Sequence, residues 1–194
     1  MKKLGFDLIL LGDPTSGKDT QAVLLMKRYS LKAVESGKHW RTIAKKKNAE
    51  GAWLRKTMSL GHPAPVVLMK KFLRDSVRNA PKNKNLIFIG NPKLKPEGQF
   101  LTKLLKEKNR DFFVLYLKIL VPEILKRTKL RARLKSEDEG VRNRIRYTKR
   151  QMSKTVKYFQ SLDKLKLING NQSIPKVTKD ILKEIERYSK TIKN

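Results

Sequence analysis

Gly12, Gly17, Lys18 and Thr20 are the residues whose types and spacing could do chemistry. Leu8-Ile9-Leu10-Leu11 runs as an apolar strand into Gly12, four residues pass, and Gly17-Lys18 follows with a hydroxyl at Thr20. Glycine is needed at 12 and 17 because the backbone must turn tightly and approach an anionic group with no Cβ in the way. Backbone N–H groups then converge on phosphate, and the first turn of the next helix adds its dipole. Lys18 supplies a mobile cation for the β- and γ-phosphates, and Thr20 is the natural hydroxyl ligand for Mg²⁺. The hydroxyl falls one place later than in the generic pattern GxxxxGK[ST]. A strand–turn–helix with an incidental Gly-Lys is the plainer alternative, but the strand before and the helix after lie where the motif needs them.

The elements that must position this loop follow from pattern. Short apolar runs predict strands at 7–11, 33–34, 86–89, 112–118 and 164–168. Helical patterns lie between them, at 18–29, 37–47, 51–60, 65–79, 96–108, 122–131, 139–162 and 173–189. Proline opens the helices at 65, 96 and 122, and Ser173 stands at an N-cap. Such alternation predicts an α/β fold with a doubly wound parallel sheet, which binds ligands beyond the carboxyl ends of its strands.

The 194 residues suit one α/β domain, and 39% hydrophobic residues suffice for a core. No apolar run approaches the roughly 20 residues that span a bilayer, so no membrane association is expected. The charged start Met1-Lys2-Lys3 followed by apolar residues reads as a first strand, because Gly12 and Asp13 cut the run short. Absence of cysteine excludes disulfides and thiolate metal sites and is compatible with a cytoplasmic protein. Charge is the oddity: 47 Lys plus Arg oppose 17 Asp plus Glu, a net +30. Two readings stay open for it, a lysine-rich solvated surface or a face for RNA or ribosomes, and non-specific nucleic-acid binding is expected under both.

Taken together, the segments resemble the adenylate kinase family of nucleoside monophosphate kinases over nearly the whole chain. Residues 12–21, Gly-Asp-Pro-Thr-Ser-Gly-Lys-Asp-Thr-Gln, resemble the family's GxPGxGKGTQ, including the Thr-Gln that displaces the hydroxyl. Residues 35–41 resemble its STGDxLR, 60–67 its GxxVPDE turn, and 89–97 its DGFPRTxxQ. Residues 141–144 and 168–174 are similar to its arginine helix and last strand–turn. The resemblance implies a P-loop fold with a five-stranded parallel sheet. The core would comprise 1–34, 82–126 and 145–194, with a helical monophosphate-binding insertion at about 35–80 and a very short lid at about 127–144.

It also implies reversible transfer of the γ-phosphoryl of ATP to a nucleoside monophosphate, AMP by default, with Mg²⁺, by a cytoplasmic monomer. On that basis Lys18, Arg127, Arg133 and Arg144 are the catalytic candidates. ATP would meet Gly12, Pro14, Thr15, Ser16, Gly17, Lys18, Asp19, Thr20, Arg127, Arg131 and, through its carbonyl, Gln172. The monophosphate would meet Ser36, Gly37, Arg41, Ala64, Gly90, Lys93, Glu97, Arg133 and Arg144. A structural zinc is excluded, since the lid has no cysteine and His39 and His62 are remote in sequence. Both histidines read as surface or insertion side chains.

The chain departs from the family where it matters for metal. Lys38 and Ile89 replace the two aspartates that hold Mg²⁺-bound waters, leaving Asp13 and Asp19 as the carboxylates available in the loop. Asp19 either takes over a magnesium-water contact or merely caps the helix dipole. At the acceptor base, Glu97 replaces a glutamine and Asn91 an aromatic residue. The expected alternative to an active kinase is therefore a weakened nucleotide-binding protein of the same fold with an RNA- or ribosome-associated basic surface.

Overall fold

The computed structural model describes residues 1–59, 64–130, 145–146 and 148–192. Five strands, β1 (Asp7–Gly12), β2 (Leu31–Val34), β3 (Asn85–Ile89), β4 (Phe112–Lys118) and β5 (Leu165–Asn169), form one sheet. Its order is β2-β3-β1-β4-β5 and every pairing is parallel. Because strand side chains alternate in direction, Ile9 and Leu11 enter one core and Leu8 and Leu10 the other. Burial on both faces explains the unbroken apolar run of β1.

One helical layer consists of α1 (Lys18–Arg28) and the last helix, α8 (Ile174–Thr191), which bury Ala22, Leu25, Val177, Ile181 and Ile185. The other is built from α2 (Ser36–Ala44), α3 (Ala49–Ser59), α4 (Val66–Arg78), α5 (Lys95–Glu107) and α7 (Ser153–Ser161). The short helix α6 (Val121–Leu130) follows β4. A π-helical turn, Thr148–Met152, leads into α7. The part of the expected helix 139–162 before residue 145 lies outside the described residues, as does His62.

Differences from expectation sit at element ends. β2 begins at Leu31, two residues early, because exposed Lys32 on this edge strand breaks the apolar pattern without breaking the pairing. Lys164 precedes β5 and turns its ammonium to Asp111 at 2.7 Å. Pro65 is the N-cap residue of α4 rather than its first helical position. Ser173 caps α8 by position alone, with no side-chain hydrogen bond, and Pro175 pre-sets the first turn. Among the described residues no helix is long and apolar enough to cross a membrane.

The order 2-3-1-4-5 puts β1 at the centre, flanked by β3 and β4, so its carboxyl end opens where the chain's crossovers diverge. Register fixes that end: Leu10 faces Ile89, and Gly12 faces Leu117. At the opposite end the buried carboxylate of Asp7 accepts Arg110 Nε at 2.7 Å, Arg110 Nη2 at 2.6 Å and the Leu86 N–H at 2.7 Å. Asp7 thereby ties the start of β3 and the entry to β4 to the central strand. Glu97 does a similar task at α5. Its Oε2 accepts the N–H groups of Lys93 at 2.8 Å and Leu94 at 3.1 Å, the returning half of a capping box.

Arg110→Ala leaves the Asp7 charge buried with only one donor, and the expected cost is about 3 kcal/mol in urea unfolding, with nucleotide turnover little changed. The Glu97 carboxyl is pushed up from its ordinary value by burial, against the pull of the Leu94 and Lys93 N–H groups and the Lys93 charge. A raised folded pKa contributes stability below the unfolded value, and that contribution is lost as pH climbs through the folded pKa. Glu97→Gln keeps an acceptor for both N–H groups but cannot ionise. Its stability relative to the parent is therefore expected to rise from about pH 4 to pH 7, measured by urea titration. A pH-independent difference would show that the carboxyl is not raised.

Candidate active site

The loop after β1 turns on two glycines for different reasons. A Cβ on Gly12 would lie 2.5 Å from Ser16 Oγ and 2.8 Å from the Leu117 carbonyl, so the close approach of loop to β4 forbids any side chain. Gly17 has φ 89°, left-handed, and starts α1. Thr15 is also left-handed, at φ 59°, where a β-branched residue costs on the order of 1–3 kcal/mol. Ser16 Oγ is buried and has no hydrogen-bond partner. Such strain and an unpaired hydroxyl are tolerated where a loop is shaped for something other than its own stability.

Asp13 is not available to a metal, contrary to its reading from sequence. It is 9% exposed and faces backward: Tyr116 Oη donates to Oδ1 at 2.7 Å and the Ile119 N–H to Oδ2 at 2.8 Å. Burial and the Asp13 carboxylate push the Tyr116 phenol far up, so it stays a donor. The Asp13 N–H donates to the Leu117 carbonyl at 3.1 Å, closing a second tie to β4. Asp19 points outward instead, with a side chain 70% exposed and one oxygen 3.8 Å from Lys18 Nζ. Thr20 beside it is exposed.

Lys18 reaches from α1 across the end of β3. Its Cε would lie 2.9 Å from a Cβ on Gly90, whose φ is +68°, so the glycine is the gap through which the lysine passes. Gly90, expected against the monophosphate, is thus also the seat of the loop lysine.

A cleft of about 360 Å³ opens beside the loop, walled by Thr15, Thr20, Arg127, Leu130, Gln172 and Ile174. Arg127 braces it by donating to Glu123 Oε1 at 2.6 Å, to the Gly170 carbonyl at 3.0 Å and to the Thr15 carbonyl at 3.4 Å. Gln21 joins α1 to α8, donating to the Ile174 carbonyl at 3.1 Å and accepting from Thr178 Oγ1 at 2.8 Å. Gln172 is pinned to the Asn169 carbonyl and to Asp180. Leu130 and Ile174 are 77% and 55% exposed, apolar side chains left at the rim of a polar loop. The sequence reading missed both, along with Tyr116 and Gly170. The one available signal was an apolar residue at the open end of a helix, which is common on any surface.

On the other side of the loop stand the acceptor candidates. Ser36 is 3% exposed and opens α2, and the Arg41 guanidinium lies back over Gly37, 3.3 Å from where a Cβ would stand. Ala64 packs partly buried against the core. Asn91 donates to the carbonyls of Val34 and Ile89, joining the carboxyl ends of β2 and β3. The Lys93 carbonyl accepts from buried Thr155 at 2.7 Å, which anchors α7 to this segment. Glu97 is only 1% exposed, with Oε1 buried and unpaired, so in this structure its capping task keeps it out of the open cleft. His39 lies elsewhere, edge-on to Trp40 and tilted against Phe72, and burial pushes its pKa down. Arg131, Arg133 and Arg144 fall outside the described residues.

Comparison with known proteins places the chain among relatives of one kind. The family model described as adenylate kinase matches residues 10–164. An adenylate kinase of Azobacteroides pseudotrichonymphae genomovar. CFP2 is 30% identical over 182 residues, spanning 91% of this chain and 95% of the relative. Adenylate kinases of Leptospira biflexa and Bacteroides fragilis are 27% and 26% identical, each spanning 98% of the relative and over 90% of this chain. With a family model matching residues 10–164 and a 30% identical relative covered to 95%, the chain belongs to the adenylate kinase family.

Proposed function

We propose that this protein transfers the γ-phosphoryl group of ATP to the phosphate of a nucleoside monophosphate, AMP by default, and runs the reverse reaction. The observation that carries the reading is the Gly12–Gly17 loop with Lys18 laid across Gly90, between the donor cleft and the α2 segment that bears Arg41. Two nucleotides face to face bring concentrated negative charge together. The protein's work is accordingly positioning and charge neutralisation rather than covalent chemistry.

In this reading the loop amides and Lys18 hold the β- and γ-phosphates, and Arg41 and Lys93 hold the acceptor phosphate. Arg127, Arg131, Arg133 and Arg144 close over the transferred group and exclude water, which keeps ATP from hydrolysis. The Gln172 carbonyl meets the donor base, with Leu130 and Ile174 against its faces. Mg²⁺ demands few protein ligands, since it keeps several waters and takes phosphate oxygens. Among the described residues no cluster of three acidic or histidine side chains could cage an ion, whereas exposed Thr20 and Asp19 offer hard oxygens at the loop. These two fit a magnesium–nucleotide complex and would hold it there. When bound, the ion would neutralise negative charge on the phosphate oxygens.

A second reading is favoured by Lys38 and Ile89, which stand where the family has carboxylates. It makes the chain a nucleotide-binding protein of low turnover.

A coupled assay with ATP, Mg²⁺ and each of AMP, CMP, UMP and GMP at high salt separates the two readings. Turnover with one acceptor, reduced about 10²–10³-fold in Lys18→Ala, is the expected result. Nucleotide binding without turnover for any acceptor selects the second reading. In the same assay Asp19→Ala is expected to raise the Mg²⁺ concentration needed for half-maximal rate by about tenfold. An unchanged Mg²⁺ dependence rules out a metal role for Asp19 and leaves it a helix-dipole residue.

A further inference from the structure

The phosphate site uses few of the cations behind the net charge of +30. The rest are not equally placed. On α8 the cations Arg187 and Lys190 sit 3.2 and 3.3 Å from Glu184 and Glu186, the usual alternation of sign on a solvated helix. Lys103 on α5 likewise has Glu107 at 4.0 Å.

On the outer edge of α4 the cations are not only unpaired but seated on an aromatic ring. Lys70, Arg74 and Arg78 recur every fourth residue and therefore form one row. None of Lys70, Arg74 and Arg78 has an ion-pair partner among the described residues. The helix's single acid, Asp75, lines the groove against α2 and makes no ion pair with the row among the described residues. Like charges four apart on a helix repel, yet Lys70 and Arg74 are gathered onto one ring. Lys70 Nζ lies 5.5 Å and Arg74 Cζ 5.4 Å from the centroid of Phe100 on α5. The aromatic face partly offsets the repulsion and holds both cations in place. A row of unpaired, pre-positioned cations is unfavourable for the free protein and favourable against a chain of anions.

We propose that the Lys70–Arg74–Arg78 row on α4, seated on Phe100, binds single-stranded RNA through its phosphates. The rise between successive members is about 6 Å along the helix axis, close to the step between neighbouring backbone phosphates. One narrow row fits one strand better than a plane of lipid headgroups. Guanidinium forks at 74 and 78 take phosphate oxygens in pairs, which a lysine cannot do. Nothing along the row reads base edges, so recognition is sequence-tolerant and salt-dependent. The surface stands on the outer side of α4 and α5 and shares no residue with the phosphate loop, so phosphoryl transfer and RNA binding are separable.

Fluorescence anisotropy with a labelled oligouridylate of about 12 nucleotides tests this on the full chain. Three proteins are compared: the parent, K70E/R74E/R78E, and a control with equal charge change on the other helical layer, K27E/K179E/K183E. The row variant is expected to lose at least tenfold in affinity at about 100 mM salt, with the slope of log K against log salt falling by about 2. The control is expected to change by less than about threefold at that salt. Both should keep parental turnover, which reports that they fold; if the row variant does not, K70Q/R74Q/R78Q replaces it. Equal losses in row and control variants overturn the proposal, because bulk charge then suffices. It is also overturned if the parent binds no RNA, or if the row is needed only for phosphatidylserine vesicles.

Discussion

A loop can offer its main-chain amides to an anion only if its own side chains and carbonyls are held away from that space. Asp13 is the residue that enforces this. Its carboxylate is buried directly behind the loop and would repel a phosphate if it swung forward. Tyr116 Oη and the Ile119 N–H hold it backward at 2.7 and 2.8 Å. The bond between loop and β4 then fixes where the loop's inner surface faces, and Gly12, pressed against the Leu117 carbonyl, removes the last freedom of approach. Preorganisation of this kind matters because donors already in place need no rearrangement when charge develops.

The two ends of the sheet divide the work. At the amino end, buried or half-buried charges are paired and hydrogen-bonded: Asp7 with Arg110, and Asp111 with Lys164 and Tyr188. Asp111 is held below its ordinary value, with the Lys164 and Tyr188 bonds outweighing the upward push of burial. These pairs lock the strand ends in register. At the carboxyl end the chain instead leaves polar groups unsatisfied, including Ser16 Oγ, Asn91 Oδ1 and Glu97 Oε1. Stability is concentrated where the register is set, and unspent hydrogen-bonding capacity gathers where ligands arrive.

How much of this was legible in the sequence depended on whether the signal was local. The strand into Gly12, the loop, Lys18 and α1 were readable because a tight turn, a close approach and a helix start each demand particular residue types within a few positions. The parallel order followed from alternation of elements. Tyr116 could not be found this way, since its partner is 103 residues distant and a tyrosine in an apolar strand looks like core. Arg127 was named from sequence, but its bonds to the Gly170 and Thr15 carbonyls were not legible, since those partners are 43 and 112 residues distant. The directions of the Asp13 and Glu97 carboxylates were not legible for one reason: they are set by the surrounding donors, which came from the end of β4 and the residue just after it in one case and from a local cap in the other.

The replacement of two family carboxylates by Lys38 and Ile89 can be weighed by where the side chains lie. Ile89 is 7% exposed and joins the core shared with α1 and α8, so that position contributes packing and no longer polarity. Lys38 is exposed on α2, two residues past the buried opening serine. Exchanging two negative charges for one positive makes the cleft more attractive to polyphosphate in every state, ground state and transition state alike. Uniform attraction of that sort tightens binding without lowering the barrier. What the family aspartates supply, oriented water around the ion, acts on the reacting geometry and is not replaced by a lysine. The exchange of two carboxylates for Lys38 and Ile89 therefore bears on affinity for polyphosphate more than on the barrier to its transfer.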